Sequence, residues 1–130
     1  MIKNFAIIIF LCLKIAFSQD LFFSEYSEGS GYNKYLELYN PKSINVNLSE
    51  YFIKLSRNGQ GWDNNVESVV YQLSGILEPC SLYTLTTDAA DNYLLNSSEE
   101  ALSQPSVCDF NGDDAIGLFN GEVLIDVIGT

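Results

Sequence analysis

Apolar and polar residues alternate along this chain in short runs, and each run closes on a turn signal. Asn33–Tyr39 (NKYLELY) puts Leu36 and Leu38 on one side and Tyr35, Glu37 and Tyr39 on the other. That is the period of a half-buried strand. Tyr51–Ser56 (YFIKLS) repeats it, with Ile53 and Leu55 opposed to Phe52 and Lys54. Leu21–Ser27, Val69–Leu73 and Cys80–Thr87 read as further strands. Between them stand Glu28–Gly31, Asn40-Pro41, the polar stretch Arg57–Asn65 and Ser74-Gly75, all turn or loop compositions. Val46–Glu50 is a short connector whose Leu48 should plug the core.

The clearest local signal lies in Val107–Gly129. Asn120-Gly121, between two apolar runs, predicts a type I′ hairpin joining Ala115–Phe119 to Glu122–Ile128, since that turn needs positive φ at both central positions. Asp88–Gln104 breaks the alternation. Its alanines, Glu99-Glu100 and scarcity of β-branched residues predict one or two short helical turns, with Ser97 or Ser98 capping the second. About eight short strands at near-regular spacing predict an all-β sandwich.

The first residues read as a leader. Lys3 precedes an apolar run, Phe5–Phe17, and Ala16-Phe17-Ser18 is a small-x-small cleavage pattern. The expected division is a signal peptide over 1–18 and one domain over 19–130, with an uncleaved anchor as the alternative. Leu11 before Cys12 argues against lipoprotein processing. The apolar run falls short of the ~20 residues a membrane span needs, so no span is expected after cleavage. The expected location is secreted or at the cell surface. About 110 residues suffice for one domain with its own core. The chain stops directly after a strand, where a sandwich needs something to cover its edge, so the sandwich is expected to be C-terminally truncated.

Charge narrows the partners. The chain carries −11; removing the leader takes away Lys3 and Lys14 and leaves four basic residues against 17 acidic ones, a net −13. Nucleic-acid binding rests largely on Lys and Arg contacts to phosphate, so the balance argues against it for this domain alone. It suits solubility, a cation, or a basic partner.

Candidate chemistry is sparse. With no histidine, triads, Cys-His dyads and histidine-dependent nucleases are excluded. There is no G-x-S-x-G, no S-x-x-K and no phosphate-binding glycine loop. No catalytic residue and no cofactor is expected. Cys80 and Cys108 remain after processing, and an even count in an exported chain reads as a disulfide, with two free buried thiols as the alternative. Asp109, Asn111, Asp113 and Asp114 are oxygen donors of the kind calcium takes, but they lack the EF-hand continuation, and a turn held by its own side chains explains them as well. Trp62 is a candidate ligand-stacking residue, or else a plug folded back over the sandwich. Glu25 and Glu37 have Lys34 or Lys54 as candidate ion-pair partners, or stay solvated.

Five segments in order carry a resemblance. FFSEYSEGSGYNKYLELYNP (Phe22–Pro41), LSEY (Leu48–Tyr51), LSGILEP with LYTLT (Leu73–Pro79, Leu82–Thr86), FNGDDAIGL (Phe110–Leu118) and LIDVIG (Leu124–Gly129) together resemble the lamin-tail domain, in its bacterial exported form. The resemblance implies an immunoglobulin-like β-sandwich and a non-catalytic module for interaction, adhesion or targeting, binding an unknown protein or cell-surface ligand. Relatives attached to secreted enzymes supply an alternative, an N-terminal accessory domain of a larger nuclease or phosphatase. A calcium-binding adhesion domain is a second alternative. Nuclear-lamin relatives contact proteins and DNA, but a shared fold does not transfer that here. Two features depart from the family. Cys80 stands where a glycine usually follows the proline, and Cys108 precedes the FNGDD motif.

Overall fold

Leu36, Leu38 and Leu85, facing Ile53, Leu55, Ile116 and Leu118, are all buried to within 1 % of full exclusion. These two rows of branched side chains are the inner faces of two packed sheets, as strand alternation requires. A computed structural model describes residues 19–62 and 68–129. The leader expected over 1–18, and the last part of the Arg57–Asn65 loop, lie outside the described residues.

The first sheet contains β1 (Phe22–Glu28), β2 (Lys34–Tyr39), β7 (Leu82–Thr87) and β8 (Glu100–Leu102), in that order. The second runs β10 (Val123–Ile128), β9 (Ala115–Asn120), β4 (Tyr51–Ser56), β5 (Ser68–Gln72). A two-residue ribbon, β3 (Val46–Asn47) with β6 (Ile76–Leu77), buries Val46 and Leu77 against the core. Leu48 follows in a single 3-10 turn, 1 % exposed, and plugs the core as its sequence position suggests. The result is an all-β, immunoglobulin-like sandwich. Each buried leucine contributes about 1.5–3 kcal/mol of burial, and that set of side chains dictates which face of every strand turns inward.

The sandwich closes along one side. β1 and β10 each carry a bulge, at Phe23/Glu25 and at Leu124/Asp126. At that corner the Asp126 carboxylate accepts the Phe23 N–H at 2.8 Å, linking an edge of one sheet to an edge of the other.

Three local expectations change. β9 and β10 do form an antiparallel hairpin, but Asn120 pairs with Val123, so the loop is Gly121-Glu122 rather than Asn120-Gly121. Only Gly121 of these two has positive φ, 56°, which fits the type II′ requirement for glycine in the first loop position, not type I′. Asn120 is kept in the ladder by its pairing with Tyr51 of β4. In 88–104 one helix forms, α1 (Asn92–Ser97), capped by Asp91, which accepts the N–H groups of Tyr93 and Leu94 at 3.1 and 3.2 Å. Neither Ser97 nor Ser98 caps a second helix: Ser97 ends α1, its hydroxyl donating to the Tyr93 carbonyl. The next residues instead form β8, parallel to β7. The open edge of β7 offers ladder bonds that outweigh the helical composition of this segment.

Candidate binding surface

Trp62 is positioned by a run of left-handed residues that β4 feeds into. Asn58 (φ 51°), Gly59 (φ 65°) and Gly61 (φ 90°) reverse the chain after Ser56. The buried Ser56 hydroxyl accepts the Gly61 N–H at 2.9 Å, and the Asp114 carboxylate accepts the Asn58 N–H at 3.0 Å. The indole thereby lies on the outer face of the second sheet, edge-to-face with Phe119 at 5.5 Å between centroids. It covers a sandwich face rather than an end, and it is partly exposed.

Gly117 makes room for it. A Cβ there would come within 2.7 Å of the Phe119 ring and 3.0 Å of both Trp62 and Leu124. An interior strand glycine is a sequence signal for such a close approach, and it was available in the FNGDDAIGL motif. On the same face the Lys54 ammonium sits 4.5 Å from the Phe119 ring centre, a cation–π contact. Phe52 lies directly opposite Phe119 across the ladder, and Val70 opposite Lys54. Val70, Leu124 and Val127 are each about half exposed. An open groove of about 390 Å³ runs between Phe52, Lys54, Val70 and the Gly121-Glu122 turn.

The outer face of the first sheet is mixed: Phe22 lies edge-to-face with Tyr39 beside the half-exposed Leu82, and carboxylates follow along the strands. Glu25 and Glu37 are direct cross-strand neighbours, an arrangement that repels. Neither takes a lysine as the sequence offered. The Tyr35 hydroxyl donates to Glu25 at 2.6 Å and the Ser24 hydroxyl to Glu37 at 2.7 Å, while Lys34 pairs with Glu28 at 3.5 Å. The bond to Glu25, with burial and the charge of that carboxylate behind it, pushes Tyr35 up to about 12.

In the acidic loop Asp109 and Asp114 are engaged by nearby N–H donors. Asp109 accepts the Ser106 N–H at 2.7 Å and a Gln104 amide proton at 2.6 Å, with Arg57 at 3.8 Å. Asp114, 7 % exposed, accepts the N–H groups of Asn111 and Asn58. Asn111 turns back toward the Asp113 N–H at 3.4 Å, and Asp113 is exposed. Among the described residues no group of three or more His, Cys, Asp or Glu side chains is placed to hold a metal ion. Local donors of this kind hold a turn by its own side chains.

The expected disulfide is also absent, since both cysteines are free. Cys80 is exposed in the turn before β7, at φ 54°, with its thiol against Tyr39. Cys108 is buried and its thiol approaches the Leu85 carbonyl at 3.6 Å. Cys80 precedes β7, whereas the Cys108 thiol meets that strand at Leu85, so the two cysteines lie at different levels of it. Burial, with Asp109 nearby, pushes the Cys108 thiol up to about 12.

Two structural side chains had no sequence signal beyond their type. Asn40, fully buried, donates to the carbonyls of Ile44, Leu77 and Glu78 and accepts the Lys42 N–H. Asp20 gathers Lys42, Tyr51, Asn120 and its neighbouring Leu21 N–H around one carboxylate, at 2.7 to 3.3 Å. Burial opposes its ionisation, but those donors together bring it down to about 2.

The sequence comparisons agree with this architecture. No curated protein matches the chain. The family model described as Lamin Tail Domain matches residues 16–130, taking in both sheets, the ribbon and the hairpin. The chain therefore belongs to the lamin tail domain family, whose members are non-catalytic immunoglobulin-like domains.

Proposed function

We propose that this lamin tail domain is an exported, non-catalytic module for interaction, adhesion or targeting, which holds a protein or cell-surface ligand. One observation carries the reading: the outer face of the second sheet gathers Phe52, Trp62, Leu124 and Val127 around the buried Phe119 ring, with the half-exposed Val70 beside them. A sandwich needs one apolar face per sheet for its core; a second apolar face, partly open to water, is the property of a contact surface.

The leader pattern of residues 1–18 supports export, and the strong acidity supports a soluble display role over contact with nucleic acid. The test is retention. A reporter enzyme fused to the full chain and expressed in an exporting host is expected to stay with the cell or its matrix, and to be released into the medium when Leu124 and Val127 are both changed to Asp. Reporter found wholly in the medium with the unaltered module would overturn the reading.

A further inference from the structure

Four strands form the edges of this sandwich, and three are guarded. β1 and β10 carry bulges and are joined to each other through Asp126. β8 is three residues long. Bulges, short edges and tied corners are the devices by which sheets avoid adding foreign strands.

β5 has none of these. Its five residues, SVVYQ, pair with β4 in unbroken register, without bulge, proline or charge. Among the described residues no strand pairs with its other side. The Leu73 N–H bonds the Tyr51 carbonyl at 3.0 Å, which sets the phase of the ladder. In an antiparallel pair, bonded and non-bonded positions alternate. Val69 and Tyr71 therefore bond β4, and the main-chain groups of Val70 and Gln72 point outward. The Val70 side chain is 52 % exposed.

Beside this edge, between the sheets, lies a groove of about 110 Å³ lined by Val69, Tyr71, Leu102, Pro105 and Val107. It suits one aliphatic side chain. Carboxylates ring it: Glu100 next to the Tyr71 hydroxyl, Asp88 holding the Ser103 hydroxyl, and Asp109 holding the Ser106 N–H. A second copy of this chain would bring its own −11 to that rim, whereas a basic segment is attracted to it.

We propose that β5 is an acceptor edge, to which an extended, lysine- or arginine-bearing segment of a partner protein adds as a fifth strand. Its main chain bonds Val70 and Gln72, one aliphatic side chain fills the Val69–Val107 groove, and its cations meet the rim carboxylates. Strand addition takes affinity from the main chain and selectivity from alternate side chains. The proposal rests on reading the chain as a binding module and names the partner chemistry for it.

The probes are synthetic ten-residue peptides with Thr at alternate positions and, on the other face, a central Val with Lys on either side of it (the Val-Lys peptide), the same with Glu for Lys, and the Val-Lys peptide with a central Pro. Two variants report on the edge. Val70→Pro removes an N–H that β4 does not use, and Val70→Lys sets a like charge against the peptide on an exposed position. The Val-Lys peptide is expected to bind saturably, to slow amide hydrogen exchange at Val70 and Gln72, and to weaken as salt rises. The Glu and Pro peptides, and both variants, are expected to lower affinity at least about tenfold, with the melting temperature of Val70→Lys unchanged. Binding indifferent to peptide charge or to both variants would overturn the proposal, as would no binding at millimolar peptide. A dimer of the unliganded protein that Val70→Lys splits would assign the edge to a second copy and equally overturn it. Cell-surface retention that survives both Val70 variants while the peptide fails to bind would leave the module reading standing and remove only the strand addition.

Discussion

The two cysteines show how far a residue's neighbours, more than its type, determine its chemistry. Parity and an exported context suggested a bridge, yet the sandwich places Cys80 in an exposed turn and Cys108 in the core. Thiolate is the reactive form, and a thiol raised to about 12 by burial is inert at neutral pH. In the native protein iodoacetamide is expected to label Cys80, with Cys108 slower by at least ~10³-fold because it must wait for unfolding. Peptide mass mapping with and without denaturant checks this. A bridge between the two would instead leave neither thiol open to reagent before reduction. Trp62 was legible as either a ligand platform or a plug. Only Gly117, 55 residues down the chain in a neighbouring ladder, decides that the ring lies on the sheet.

Strand faces were readable at the level of the element because alternation is a local property: Leu36 with Leu38, and Ile53 with Leu55, all point to the core. Strand ends and turns were less readable, because neighbouring strands set them. The β9–β10 turn slid by one residue when Asn120 was claimed by Tyr51. Gly121→Ala is therefore expected to cost about 1–2 kcal/mol, the strain of a left-handed non-glycine residue. Glu122→Ala should cost under about 0.5 kcal/mol. Urea unfolding midpoints of the two variants test the assignment; a Gly121→Ala loss no larger than that of Glu122→Ala would show that Gly121 does not hold the left-handed position. The same logic explains β8, where an edge of β7 recruited a segment whose composition favoured helix.

At the scale of the molecule, Asp20 ties the start of the domain to the beginning of β4 and the end of β9. Its carboxyl, ordinarily at 3.8, is held near 2 in the fold. The folded state thus favours the ionised form. The stability this contributes is present above about pH 4 and is lost as pH falls toward 2. The group is only partly buried, so solvent screening keeps the effect near ~1 kcal/mol, or ~4 °C in melting temperature. Asp20→Asn should lower the melting temperature by that amount at pH 6, with the gap to the unaltered protein closing by pH 2. A gap that persists unchanged at pH 2 would show that packing, not charge, carries the contribution.

By itself the sequence determined the class of the fold, the inward face of the main strands, the acidity and the absence of histidine. These follow from local periodicity and from composition, which need no partner segment to be known. Only the tertiary structure decided where Cys80 and Cys108 lie, that the Asp109 and Asp114 carboxylates serve main-chain N–H groups, that Trp62 covers Gly117, and that β5, among the described residues, pairs on one side alone. Each of those depends on which distant residues arrive beside it, and non-local pairing leaves no period in the chain to read.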